Sequence, residues 1–242
     1  MTLGDLRKYQ KEIKIKRKNN DKSLSGSTGS CIVHGDKIIK MYYTPQSIYN
    51  IVDLSGYNSE RISFPLKYLK RRKYYYGEIM PYFQMDNVLN ALEYNGNIDK
   101  LIYNYQQIVE EIKKFSNLLM VDLCYLNILY DEDKGFYLID VTEWQDDVDS
   151  LYGKSLFENN VDDLNESLFY CIWKIVFNKT DDPLWIKYIF GERVYDAFIE
   201  SLQVKCDFLK FMDIFREDTL KRYNLMLNNI EDMKKSVKIL KK

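Results

Sequence analysis

Three side chains in the middle of the chain could do chemistry together. The run Val121-Asp122-Leu123-Cys124-Tyr125-Leu126-Asn127 places a carboxamide five residues after a carboxylate, and Leu138-Ile139-Asp140 adds a second carboxylate after the following β-rich run. This set offers only oxygen. It suits Mg²⁺, a hard cation that takes a few carboxylates together with phosphate oxygens and water. A second fragment, Ser25-Gly26-Ser27-Thr28-Gly29-Ser30, lies between extended runs. Glycines there let backbone N–H groups approach phosphate oxygens with no Cβ in the way. Other chemistries lack their residues. His34 is the only histidine, which removes His-based triads and multi-histidine metal sites. Cysteines 31, 124, 171 and 206 are scattered and form no C-x-x-C pair, so they predict reduced thiols and neither a disulfide scaffold nor a zinc site.

The elements that must position these groups change character along the 242 residues. Residues 1–22 carry eight basic side chains against three acidic ones and read as a basic N-terminal segment. Over 23–84 the pattern is extended runs broken by Gly. CIVHG and KIIKMYY flank a Gly-Asp turn, which predicts a hairpin. Thr44 then offers an N-cap with Pro45 at the first helical position, predicting a short helix to about Leu54. ISFPLKYL and KYYYGEIMPYF follow as two further extended runs. Over 85–242 the periodicity is helical. Leu101, Ile102, Tyr105, Ile108, Val109, Ile112, Phe115 and Leu119 form one apolar stripe, and Asp163 to Phe177 is apolar on most faces, as a central helix would be. Between them NILYDEDKGFYLID reads as a hairpin about a DEDKG turn. The expectation is an α+β fold of two lobes, a small β-rich one and a larger helical one. A formal charge of −1 disfavours nucleic acid as a partner. Without a signal-peptide run or a membrane-length apolar run, the expected location is cytoplasmic.

In this order and spacing the fragments resemble the protein kinase superfamily, whose catalytic loop reads H-R-D-L-x-x-x-N and whose metal motif reads D-F-G. The resemblance spans about residues 24–178. It implies a kinase-like fold and transfer of the γ-phosphate of ATP to a hydroxyl, of a protein Ser or Thr or of a small molecule. Asp122 would then orient the attacking hydroxyl, Asn127 and Asp140 would hold Mg²⁺, and Lys40 would fix the α and β phosphates. Gly26, Ser27 and Gly29 would cover those phosphates. In the hinge-like Gly77-Glu78-Ile79-Met80-Pro81-Tyr82-Phe83, Met80 would flank the adenine pocket and the main chain of Tyr82 and Phe83 would meet the base. Asp162 or Asp163 would brace the catalytic loop.

The departures carry their own implications. Met120 and Val121 stand where His and Arg are expected, Val141 and Thr142 follow the metal Asp, and no A-P-E comes before the buried helix. Regulation by a phosphorylated activation segment is therefore not expected. Aminoglycoside- and choline-phosphotransferase-type kinases share the small size and missing A-P-E, and a pseudokinase would share the losses. The acid that pairs with Lys40 in that family would here be Asp53, Glu60 lying beyond Gly56. The acidic cluster Glu143, Asp146, Asp147 and Asp149 reads either as a selector of basic substrates or as a solvated loop.

Overall fold

The computed structural model describes residues 7–8, 11, 24–25, 28–49, 52–94, 96–140, 145–146, 154–178, 183–203 and 207–241. The chain forms a mixed α+β structure, antiparallel sheets first and then a helical region, in two compact units. Residues 1–84 and 139–146 make the first, and 85–138 and 147–242 the second.

The first unit is an antiparallel sheet of β1 (Leu24–Ser25), β2 (Gly29–His34), β3 (Lys37–Ser47), β4 (Lys67–Arg71) and β5 (Tyr74–Pro81), in the order β1-β2-β3-β5-β4. Strand alternation sends Ile32, Ile39, Met41 and Leu69 into one apolar cluster and turns Lys40 to the opposite face. The Gly-Asp hairpin forms, with Gly35 at φ 64° in its turn. The expected helix from Thr44 does not: β3 continues through Thr44 and Pro45 to Ser47. A register shift between Met41 and Gln46 lies there, and such an irregularity accommodates a residue that cannot donate to a ladder. Two glycines let the neighbouring strands press on β3. A Cβ on Gly77 would lie 2.2 Å from the Lys40 carbonyl oxygen, and one on Gly29 would lie 2.6 Å from that of Met41.

The second unit opens with β6 (Asp86–Asn87) and α1 (Val88–Tyr94). Next comes α2 (Ile98–Lys113), capped by the Asn97 side chain on the Lys100 amide. Its stripe ends sooner than the periodicity suggests. Phe115 lies in the turn after the helix and Leu119 in the two-residue strand β7 (Leu118–Leu119), both still buried. The hairpin of β8 (Ile128–Asp131) and β9 (Gly135–Leu138) pairs with β6. Asp131 accepts from the amides of Asp133 and Lys134 to shape its turn, and Gly135 supplies a φ of 91°. Helix α3 (Leu156–Val176) starts at a capping box of Ser155 and Glu158 and buries Leu164, Leu168, Phe169, Cys171 and Ile172. Around it lie α4 (Leu184–Phe190), α5 (Glu192–Leu202), α6 (Phe208–Tyr223) and α7 (Ile230–Leu240). Phe169, Phe177, Phe198, Phe211 and Phe215 meet there at edge-to-face distances. Among the described residues no helix is long and apolar enough to cross a membrane.

Candidate functional site

Within the first unit the register builds a row across the sheet: Cys31 opposite Lys40, Lys40 opposite Glu78, and Glu78 opposite Tyr68. Lys40 is only 3% exposed, and such burial requires compensating charge. It pairs with Asp140, one hundred positions later, and its Nζ lies 3.9 Å from Glu78 Oε1. Asp140 takes the left-handed conformation, φ 59°, which Asp tolerates better than most residues. Burial pulls the Lys40 ammonium down, but the carboxylates of Asp140 and Glu78 outweigh it and hold the group above its ordinary range. Glu78 is wholly buried, with the Tyr42 phenol beside it and its oxygens otherwise without a hydrogen-bond partner among the described residues. Burial pushes its carboxyl up to about 8 even though Lys40 opposes the shift. The phenol of Tyr42, raised first by burial and then by Glu78, completes the cluster.

Within the second unit the loop between β7 and β8 is clamped by α3. Asn160 accepts from the Met120 amide and donates to the Leu118 carbonyl, both at 2.8 Å, while Ser167 Oγ donates to the Leu123 carbonyl at 2.8 Å. Seven positions apart, these two side chains share a helix face. Met120 and Leu123 are buried, so Val121 and Asp122 between them face outward. Asn127 Nδ2 donates to the Asp122 backbone carbonyl at 2.9 Å and to Asp122 Oδ2 at 3.1 Å, which fixes the two side chains to each other. Beside Asp122 lies a cavity of about 300 Å³ whose lining includes Tyr125, Asp163, Glu166 and Tyr170. The Tyr125 and Tyr170 rings stack at 4.9 Å. Burial first, then Glu166 and Asp162, raises the Asp163 carboxyl to about 6.

The expected residues are thus brought together in two sets, Lys40 with Asp140 and Asp122 with Asn127. Others stand elsewhere. Gly26 and Ser27 lie outside the described residues, as do the side chains of the acidic cluster at 143–149. Gly29 is a buried β2 residue opposite Tyr42, and what it admits is the β3 backbone. Met80 is buried on β5 opposite Ile38, and Phe83 follows the strand, half-buried. The Tyr82 amide donates to the Asp36 carbonyl at 2.9 Å. Asp53 accepts from the Ser55 amide and hydroxyl and from Tyr75, and among the described residues the acids flanking Lys40 are Asp140 and Glu78. With no helix among the described residues from Thr44 to Leu54, Asp53 is not carried to Lys40, whereas sheet register delivers Glu78 directly. Bracing of the 118–127 loop falls to Asn160 and Ser167. Asp162 pairs with Lys154, and Asp163 lines the cavity. The sequence signal for Glu78 is a lone charge in the aromatic run YYYGEIMPYF, and for Asn160 it is an amide on an otherwise core-facing stripe. Among the described residues no three His, Cys, Asp or Glu side chains gather where they could hold a metal ion. A scan against protein-family models and a search of curated proteins return no match for this sequence.

Proposed function

We propose that this protein is an ATP-dependent phosphotransferase of protein-kinase-like fold, the β-rich unit acting as its small lobe and the helical unit as its large one. The observation that carries this reading is the Lys40–Asp140 ion pair. A strand lysine and an acid one hundred positions away were assigned to phosphate and Mg²⁺ on sequence grounds, and they meet in one unit. A second support is the rigid Asp122–Asn127 couple, held in a loop that exposes the carboxylate. Phosphoryl transfer needs mostly positioning and neutralisation of charge, and these residue types supply both.

In this reading Lys40 binds phosphate oxygens, and Asp122 accepts the proton of the acceptor hydroxyl. Asn127 and Asp140 supply oxygen ligands to Mg²⁺, whose chemistry is to neutralise charge on the transferred group. The acceptor is a hydroxyl, with a protein Ser or Thr the first expectation and a small molecule the second. The test is turnover with Mg·ATP, followed by intact mass for steps of about 80 Da that mark added phosphate. Asp140→Ala should abolish turnover, and Asp122→Asn should lower it by about 10² to 10⁴ as the loss of a general base. Unchanged rates in both variants would refute the assignment. Binding of Mg·ATP with no turnover in the unmutated protein would favour a nucleotide-binding pseudokinase.

A further inference from the structure

Protein kinases set their strand lysine with a glutamate on a small-lobe helix, and both must be in place for transfer. Here no helix is described between Thr44 and Leu66, and Asp53 is engaged by Ser55 and Tyr75. What stands across from Lys40 is Glu78, its register partner on β5, with Nζ to Oε1 at 3.9 Å. Burying a carboxyl group with only the Tyr42 phenol and a lysine at 3.9 Å beside it, among the described residues, costs stability, and such a group calls for an explanation.

We propose that Glu78 is the positioning residue of Lys40: it supplies from the neighbouring strand the acidic group that other kinases supply from a helix. The proposal rests on the nucleotide reading above and adds the residue that orients its phosphate-binding cation. Asp140 alone does not suffice for this task. In that reading Asp140 is a metal ligand, and once its carboxylate turns to a cation Lys40 needs a second oxygen to hold it in a buried place. Strand pairing fixes the distance of Glu78 from Lys40. Gly77 makes the approach possible, since a side chain there would strike the Lys40 carbonyl. The setting of Lys40 would then depend on sheet register.

The experiment separates positioning from scaffolding because the two roles oppose one another. Glu78→Met removes a buried carboxyl group and fills its space with a side chain of similar length, so the melting temperature should hold or rise. At the same time the KM for Mg·ATP should rise about tenfold to a hundredfold, the size expected for one charge-assisted contact. Glu78→Gln keeps an oxygen acceptor and should recover part of that loss. Lys40→Met should raise KM as well, and Lys40→Met/Glu78→Met should be no worse than Lys40→Met alone, since one residue acts through the other. A Glu78→Met protein with KM within twofold of the unmutated one would overturn the proposal, as would additive losses in the double variant. Melting temperatures that collapse in both Met and Gln variants would also overturn it, making Glu78 a scaffold residue. Failure of the underlying reading looks different. In that case the unmutated protein neither binds nor turns over Mg·ATP, and the proposed role falls with it.

Discussion

A carboxyl buried as completely as that of Glu78 binds its proton more tightly in the folded protein than in the unfolded chain. Burial pushes that carboxyl up to about 8 from an ordinary 4.5, although Lys40 opposes the shift. The sign follows from linkage. Its contribution to stability is fully present below about pH 4.5 and is lost as pH rises toward 8, because ionisation there favours the unfolded chain. Urea denaturation from pH 5 to 9 should show the unmutated protein losing stability relative to Glu78→Gln across that window, and a constant difference would contradict the burial argument. None of this could be read from composition. Lys40, Asp122, Asn127 and Asp140 could be singled out from the sequence because their types and order resemble a known chemistry. Glu78 could not, because its place beside Lys40 depends on which strand lies next to β3.

At the scale of elements, α3 is the part that holds the 118–127 loop in shape. Asn160 satisfies a buried carbonyl and a buried amide in that loop at once. Asn160→Ala leaves both without a partner and should cost about 2–4 kcal/mol in chemical denaturation, by the penalty for unmet buried hydrogen bonds. Asn160→Asp keeps the acceptor for the Met120 amide but loses the donor to the Leu118 carbonyl and buries a carboxyl group, so it should be no milder. Faster hydrogen exchange at Met120 in the Ala variant would tie the loss to this loop. Turn chemistry made the two hairpins legible, through Gly35-Asp36 in one and the Asp131 and Gly135 turn in the other. The Thr44-Pro45 pair misled because Pro fixes φ at a value shared by a first helical turn and an extended strand, and only the register with β5 decides between them. The stripe of α2 misled by length, since Phe115 and Leu119 stay buried without staying helical.

For the whole molecule, the shift from extended to helical patterning after residue 84 was visible in the sequence, because period-two and period-3.6 burial leave different marks. The allocation of 139–146 to the first unit was not, since its neighbours in sequence belong to the second. The helical unit is held chiefly by its aromatic core, where Phe211 is fully buried and meets both Phe169 and Phe215. Phe211→Ala should cost about 3–5 kcal/mol in urea denaturation. A loss under 1 kcal/mol would mean that the cluster repacks freely, well below the usual ~3–5 kcal/mol for emptying such a site. The returning segment also bears on the phosphate and Mg²⁺ site proposed above. By bringing Asp140 onto Lys40 it closes an internal salt, so a lone anion must evict a carboxylate and a lone cation must strip away an ammonium. In the phosphotransferase reading proposed above, salt partners that arrive jointly would exchange one inner couple for two outer ones.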